Sequence, residues 1–267
     1  MKPPLEVVSL LLLTLLSLPL SMEARKSVSQ QGEKSVLENI IETGDEAFGV
    51  PAADEADASL AELVEMVENA DSITRYTELT DADFLLVAKE LGVELAAIKA
   101  VALIEAGSSM KGFYAPGVPV VNFQQSMFNR FKSKGGSPGP KDEKVPAGLS
   151  GYALKEWTQL VKARKQNLRA ANMGTFWGMF QIGGFNYSKC GCSSIDEFVR
   201  LMGVSELEQL ELFAAFIMNC GMLDDLRKKN WTAFARKYNG AGYAKRGYHT
   251  RMANAYKKFA AEEKKKK

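Results

Sequence analysis

Histidine and cysteine are scarce in this chain. Its 267 residues include one histidine, His249, and three cysteines, Cys190, Cys192 and Cys220. Zinc sites need paired clusters of such ligands, and Cys-Gly-Cys with one distant histidine does not supply them. Catalytic triads need a histidine beside a nucleophile, and no Ser or Cys nucleophile motif lies near His249. The sequence therefore implies no metal ion and no organic cofactor.

An odd number of cysteines leaves their pairing open. In an oxidising compartment one pair could form a disulfide, with Cys220 as one partner, which leaves one thiol over. The alternative is small buried thiols, and we favour this second interpretation.

Long hydrophobic runs are also lacking, with one exception at the N-terminus. Residues 7–20 are apolar, follow Lys2 and precede small and basic residues up to Lys26. This pattern is typical of a secretory signal peptide over residues 1–24 and is short for a transmembrane helix. An uncleaved anchor is the alternative, because Glu6 offsets Lys2. We expect a periplasmic or secreted monomer with no stable membrane insertion after signal cleavage.

Charge is unevenly distributed. Residues 25–74 hold three Lys/Arg against twelve Asp/Glu, whereas residues 76–260 hold 25 against 16. The first segment, 25–75, is interpreted as an acidic linker with a possible short helix. A basic domain over 76–260 suits an anionic partner such as a cell wall, although a solvated mixed surface gives the same numbers. We expect no nucleic-acid partner, because the basic residues are scattered and no recognition motif is present.

The hydrophobic periodicity predicts a mainly α domain followed by a solvated basic tail over residues 261–267. Thr80 and Asp83 predict a capped helix that ends at Gly92. Residues 113–123 combine Gly/Pro turns with β-branched residues, which predicts a short hairpin or extended insertion. Residues 132–151 are rich in Gly, Pro, Ser and Lys and predict an exposed loop. Helices are predicted over residues 152–168, 195–202, 205–219, 231–238 and 243–259.

Glu105 stands out at the end of the apolar run 93–106. At helical spacing it shares a face with Ile98, Val101 and Ala102, so its carboxylate projects from the side expected to face the core. A helix C-terminus and an apolar setting both disfavour ionisation and raise the pKa of a carboxyl group. A carboxylic acid that stays protonated near neutrality is what general-acid cleavage of a glycosidic bond requires.

Three segments combine polar groups with glycines and aromatics: 105–109, 178–184 and 238–243. Glycines let a sugar chain approach the backbone, and aromatic rings offer flat faces to pyranoses. Each segment alone has an ordinary explanation, namely a solvated helix cap, a core helix and a plain turn. Their order and separation are more specific than any one of them.

Glu-x-x-Ser at 105–108, Gly-x-Phe-Gln-Ile at 178–182 and Tyr-Asn-Gly at 238–240 resemble, in this order, the motifs of goose-type lysozymes and lytic transglycosylases. More closely, residues 76–259 resemble the N-acetylmuramidase domain of phage endolysins and related bacterial proteins. The matching stretches are 101–105, 118–123, 177–187, 190–199 and 231–240.

The resemblance implies a lysozyme-like α fold with a small β or extended insertion after the acid-bearing helix. It also implies action on peptidoglycan glycan strands, with Glu105 as the catalytic acid that cleaves the β-1,4 bond between N-acetylmuramic acid and N-acetylglucosamine. The expected substrate-binding residues are Gln124, Trp177, Phe180, Gln181, Tyr238 and Asn239.

The chain departs from the family pattern where a second carboxylate is expected. Gln124 stands in place of a glutamate and Ser126 in place of a frequent histidine, and residues 106–141 contain no Asp or Glu. A two-carboxylate mechanism would need a distant partner, for which Asp142 and Glu143 are poor candidates. Three alternatives therefore stay open: hydrolysis with one acid, lytic transglycosylation on the same cleft, and a non-catalytic peptidoglycan-binding module.

Overall fold

The computed structural model describes residues 78–266. The expectations for the signal peptide (1–24) and the acidic linker (25–75) therefore fall outside the described residues. Within 78–266, none of the helices is both long and apolar enough to cross a bilayer.

The first two helices lead directly to Glu105. Helix α1 (Asp81–Leu91) begins at Thr80, whose side chain forms a capping box with Asp83, and ends at Gly92 in the left-handed conformation (φ 61°), as predicted. Helix α2 (Leu95–Ala106) is buried along most of its length, because it packs against α1 on one side and the last helix on the other. Glu105 lies in its final turn.

The predicted insertion after α2 is present and forms two small sheets. Strands β1 (Phe113–Ala115) and β2 (Val118–Pro119) make an antiparallel hairpin. Strand β3 (Val121–Phe123) instead pairs with β4 (Thr175–Trp177), which pairs with β5 (Ile182–Gly183), all antiparallel. The second sheet thus joins the segment after Glu105 to the segment that carries Gln181. That long-range pairing was not predicted.

The remaining helical elements are α3 (Gln125–Lys132), α4 (Gly151–Arg164), α5 (Leu168–Met173), a 3₁₀ helix (Gly184–Cys190), α6 (Ile195–Met202), α7 (Glu206–Asn219), α8 (Leu223–Arg227), α9 (Trp231–Asn239) and α10 (Tyr248–Lys266). Five of them (α4, α6, α7, α9 and α10) match predicted helices, whereas α3, α5, the 3₁₀ helix and α8 were not predicted.

The last helix continues into the predicted basic tail, where most of the described residues are exposed. Helix α10 starts five residues later than predicted and continues through Lys266, whose Nζ lies 2.9 Å from Oδ2 of Asp81 at the start of α1. Exposed ion pairs of this kind contribute little to stability. Met252, Ala255 and Phe259 are buried on its inner face.

The hydrophobic core joins α2, α7 and α9 around stacked aromatic rings. The rings of Phe180 and Phe213 stack with centroids 4.2 Å apart, and those of Phe234 and Tyr238 stack at 5.4 Å. Offset stacking of this kind adds to the free energy gained by burying the rings. The core places the end of α2, the β4–β5 turn and the end of α9 side by side, and the predicted mainly α architecture is confirmed.

Candidate active site

The ends of two helices bring Glu105 and Asn239 together. Asn239 is the last residue of α9, and its Nδ2 donates a hydrogen bond of 2.9 Å to Oε1 of Glu105. They are 134 positions apart in the sequence, so this contact is a product of the tertiary fold. The other amide atom of Asn239, Oδ1, is buried and has no hydrogen-bond partner within the described residues.

The surroundings of Glu105 keep its carboxyl group partly protonated at neutral pH. Burial raises the pKa of Glu105 from 4.5 to about 7, while the hydrogen bond from Asn239 and the positive charge of Arg251 act in the opposite direction. Burial dominates because a half-apolar pocket solvates a carboxylate less well than water does. The predicted upward shift of this pKa is therefore present, with desolvation as its largest cause.

Tyr238, one residue before Asn239, ties α9 to the β4–β5 turn. Its hydroxyl donates a hydrogen bond of 2.6 Å to the backbone oxygen of Phe180. Burial, with a smaller contribution from the nearby Glu105, raises the pKa of Tyr238 well above its usual value. The phenol stays protonated and acts as a fixed donor.

Gln181 sits in the tight turn between β4 and β5. Its backbone adopts the left-handed conformation (φ 47°), which non-glycine residues seldom occupy, and Gly178 in the same turn has φ 69°. The side-chain Nε2 of Gln181 donates to the oxygen of Gly178 at 2.9 Å. Such local strain persists where the surrounding structure holds it, and it is frequent at binding sites.

Gln124 lies between β3 and α3 and lines the same cleft as Asn239. Its backbone N–H donates to the oxygen of Gly174 at 3.0 Å, and its side-chain Nε2 donates to Oδ1 of Asn122. The pairing of β3 with β4 holds this segment beside the Gln181 turn.

These side chains line one cleft of about 760 Å³. Glu105, Gln124, Gln181, Tyr238 and Asn239 all contribute to its surface. Among the described residues, Glu105 is the only carboxylate that lines it. Glu143, considered above as a distant second carboxylate, instead pairs with Arg164 at 2.7 Å, and neither it nor Asp142 lines the cleft. The cleft therefore presents one acid and several amides.

Trp177 and Phe180 require a correction. Both were expected to contact substrate, but their side chains are 0% and 1% exposed and do not line the cleft. Successive side chains of a strand point to opposite faces, so β4 turns Phe176 into the cleft and Trp177 into the core. Phe180 stacks on Phe213 beneath the Gln181 turn. Both residues support the site from below.

Four aromatics that line the cleft were missed by the sequence reasoning: Phe176, Phe185, Phe216 and Tyr248. Phe176 and Phe185 line the cleft, with ring centroids 6.0 Å apart in an edge-to-face arrangement. The alternation of β4 could have identified Phe176, had its strand been recognised. Exposed aromatic faces at this position can pack against sugar rings.

Two buried polar side chains on α7 hold the segments that form the cleft in position relative to each other. Glu206 accepts hydrogen bonds from the backbone N–H of Leu79 (3.0 Å) and Gly112 (2.7 Å). Gln209 accepts from the N–H of Met179 at 2.8 Å and donates to the oxygens of Gly112 and Met202 at 3.3 and 2.8 Å. The segment after Glu105 and the turn that carries Gln181 are thus fixed to the same helix.

Gln209 was also not anticipated from the sequence. It is fully buried in α7, four residues before Phe213 and on the same face. An amide within an apolar helical stripe was the available signal, because a buried amide must find partners.

The cysteines and potential metal ligands offer no second chemistry. Cys190, Cys192 and Cys220 are all unpaired, and burial raises the pKa of each thiol, to about 12 for Cys192. Protonated thiols are weak nucleophiles at neutral pH. Within residues 78–266, no group of three His, Cys, Asp or Glu side chains is arranged to hold a metal ion.

Comparison with known proteins agrees with this geometry. The family model for N-acetylmuramidase matches residues 94–260, which include the whole cleft. The chain belongs to the N-acetylmuramidase family. It is similar to the crystal structure of a Burkholderia AP3 phage endolysin, with 32% sequence identity and a TM-score of 0.57 over 69% of this chain and 71% of that chain. No curated protein matches the chain.

Family membership confirms the resemblance, including the lysozyme-like fold. This muramidase is a glycoside hydrolase that acts on peptidoglycan. A purely wall-binding role, one of the alternatives raised by Gln124, is not the family's activity. The roles of individual cleft residues follow below as proposals.

Proposed function

We propose that this muramidase cleaves the β-1,4 bond between N-acetylmuramic acid and N-acetylglucosamine, with Glu105 as general acid. The observation that carries the proposal is a pKa of about 7 for the only carboxylate lining the cleft among the described residues. Near neutral pH, a large fraction of Glu105 then holds a transferable proton. The proton passes to the glycosidic oxygen as the bond to C1 breaks through an oxocarbenium-like state.

The amides and phenol around Glu105 position the substrate in this proposal. Asn239 lines the cleft and donates to Glu105, so in this proposal it places the carboxyl group beside the glycosidic oxygen and contacts the bound sugar. Gln181 holds the sugar from the β4–β5 turn, which Tyr238 fixes in place. Gln124 orients the attacking water, whose oxygen bonds to C1 and whose proton returns to the Glu105 carboxylate or to solvent.

A second reaction is favoured by the single acid. Because no second carboxylate among the described residues lines the cleft to activate water, the 6-hydroxyl of the muramyl residue can attack C1, form the O6–C1 bond of an anhydro product and pass its proton to the Glu105 carboxylate. This is lytic transglycosylation, and it uses the same proton transfer from Glu105. The products distinguish the two reactions, because hydrolysis leaves a reducing muramic acid end.

The test is digestion of purified peptidoglycan followed by mass spectrometry of the released muropeptides. The wild-type chain, Glu105→Gln and Glu90→Gln are compared; Glu90 is exposed on α1 and serves as a matched control. We expect reducing muramic acid ends from the wild type and Glu90→Gln, and no products from Glu105→Gln. Anhydro ends would assign transglycosylation, and full activity of Glu105→Gln would refute the role of Glu105.

We also propose that the protein is exported as a monomer after cleavage of residues 1–24. The apolar run at 7–20 and the site of wall cleavage support export. N-terminal sequencing of the protein recovered from the periplasm or medium tests this. An intact Met1 in the recovered protein contradicts the proposal.

A further inference from the structure

Positive charges are concentrated where helices α3 and α4 end. Arg130 and Lys132 lie in the last turn of α3, and Lys134 follows it. Lys162 is in the last turn of α4, and Lys165 caps it. All five side chains are exposed. We call these five residues the basic edge.

The two helix ends are held together by polar contacts, so the five charges share one surface. Nζ of Lys132 donates to Oε1 of Gln166 at 3.1 Å, directly after α4. Nδ2 of Asn167 donates to the backbone oxygen of Gly135 at 3.2 Å. These bonds cross from the chain after α3 to the chain after α4. The basic edge is therefore a fixed feature of the fold.

The positive charge at this edge is not balanced locally. Residues 124–171 contain ten Lys/Arg and three Asp/Glu. Of the three acids, Glu156 is buried, where it accepts a hydrogen bond from the backbone of Phe123, and Glu143 pairs with Arg164. None of the five basic-edge residues forms a salt bridge with another residue of the described part.

Helix capping explains only part of this charge. Each helix C-terminus carries roughly half a negative charge, so two of them offset about one of the five cations. A surplus of about four positive charges remains on a small exposed surface. Such a surplus indicates an anionic partner.

Helix α3 connects the basic edge to the cleft. It starts directly after Gln124, which lines the cleft, and its eight residues span about 12 Å. We infer that the basic edge binds the carboxylates of peptidoglycan peptide stems just outside the cleft. This inference rests on the proposed function, since it assumes that a glycan strand occupies the cleft.

The surface chemistry of the edge favours peptide stems over a membrane or nucleic acid. The large apolar side chains exposed in the described residues are Leu85, Tyr152 and Leu154, and none lies at the edge. Tyr152 and Leu154 lie at the opposite end of α4. Membrane-surface binding uses apolar anchors, and single-stranded nucleic acids use aromatic stacking. Four of the five residues are lysines, whose mobile point charges suit repeated, flexibly placed carboxylates.

The experiment measures cosedimentation of the full chain with purified sacculi at low salt. The edge variant carries Lys134→Glu, Lys162→Glu and Lys165→Glu. The control variant carries Lys89→Glu, Lys228→Glu and Lys257→Glu, which are exposed residues of other segments and change the net charge equally. A third variant replaces the same edge lysines by arginine and keeps their charge.

We expect the edge variant to bind sacculi about tenfold more weakly than wild type, and the control and arginine variants to bind like wild type. Sacculi whose carboxylates have been converted to amides should bind the wild type and the edge variant equally. Equal weakening by the edge and control variants would overturn the inference, since net charge alone would then explain binding. The inference would also be overturned if the edge substitutions weakened binding to phosphatidylglycerol vesicles or to duplex DNA more than they weaken binding to sacculi.

Cleavage and binding are measured separately, so the two proposals fail separately. If Glu105→Gln still cleaves sacculi, the proposed role of Glu105 is wrong, and the binding comparison is unaffected. If the edge variant binds native sacculi as well as wild type does, and binds amidated sacculi equally well, the inference about the basic edge is wrong. That conclusion does not depend on the products of cleavage.

Discussion

Asn239 controls how readily Glu105 keeps its proton. Its Nδ2 donates to the Glu105 carboxylate at 2.9 Å, which stabilises the charged form and lowers the pKa. Asn239→Ala removes this donor, so the pKa of Glu105 should rise above its present value of about 7. Because the general acid must be protonated, the alkaline limb of kcat/KM against pH should move to higher pH, by about half a unit or more.

The control for this prediction is Asn254→Ala, an exposed asparagine on α10. It should leave the pH profile unchanged. Asn239→Ala should also lower the maximal rate, because a proposed substrate contact is lost. An alkaline limb that stays in place or moves to lower pH would show that Asn239 does not act on the ionisation of Glu105.

Gln124 is the second residue at which a single change is informative. Among the described residues, Glu105 is the only carboxylate that lines the cleft, and Gln124→Glu introduces a second one. We expect a severalfold higher yield of reducing ends, because a carboxylate activates water better than an amide does. The lost hydrogen bond to Asn122 should cost about 1 kcal/mol of unfolding free energy.

The matched variant Gln124→Ala removes the amide without adding charge and should lower activity. Muropeptide analysis and thermal unfolding are run on both variants. If Gln124→Glu loses activity and stability together, Gln124 belongs to a packed amide network that does not tolerate charge.

Among the secondary-structure elements, the sequence predicted the helices whose ends are specified by local signals such as caps. The Thr80 cap, the Gly92 stop and the helix at Ile195–Met202 match the structure at both ends or nearly so. Strands β4 and β5 were missed because they contain only three and two residues. In addition, β4 depends on pairing with β3, more than 50 residues earlier, and β5 depends on pairing with β4. Pairings of that kind are determined by tertiary contacts and leave a weak local pattern.

The residues of the candidate site likewise divide into those that the sequence identified and those that it misplaced or missed. Glu105, Tyr238 and Asn239 were found because they stand at helix ends in recognisable motifs. Trp177 and Phe180 were misplaced because the motif does not say which side chains a strand and turn direct inward. Gln209 was missed because its role consists of contacts with backbone groups of three other segments, two of which are 30 or more residues away.

Among residues that do not line the cleft, we therefore expect substitutions on helix α7 to disturb the cleft most. Gln209→Leu leaves the N–H of Met179 and the oxygens of Gly112 and Met202 without partners in the core. We expect a loss of about 3 kcal/mol, which lowers Tm by roughly 6–12 °C for a domain of this size. Gln125→Ala, on the exposed side of α3, is the control and should change Tm by no more than a degree or two.

Thermal unfolding by circular dichroism checks the stability of Gln209→Leu. Cleavage at a temperature where the variant is folded checks the cleft. If Gln209 holds the two sides of the cleft in position, the KM of Gln209→Leu rises at that temperature. The alkaline limb of its pH profile stays near the wild-type position. An unchanged Tm would show that the buried amide is dispensable.

For the whole molecule, the raised pKa of Glu105 links stability to pH. The folded protein has a Glu105 pKa of about 7, against an ordinary value of 4.5. Between these values the folded state binds more protons than the unfolded state does, so the free energy of unfolding falls as pH rises through this window. This contribution is fully present below pH 4.5 and is lost above about pH 7.

Comparison with Glu105→Gln isolates this one group from the other titrating residues. The amide keeps the shape and the hydrogen bond from Asn239 but carries no charge at any pH. Relative to wild type, Glu105→Gln should gain about 1–2 kcal/mol at pH 8, less than the full pKa shift implies because the side chain is only partly buried. The gain should shrink steadily and vanish near pH 4.5, while Glu90→Gln shows no such trend. Denaturant unfolding at several pH values measures these differences. A difference independent of pH would mean that Glu105 ionises as an ordinary glutamate, and the protonated acid required for bond cleavage would then be absent at neutral pH.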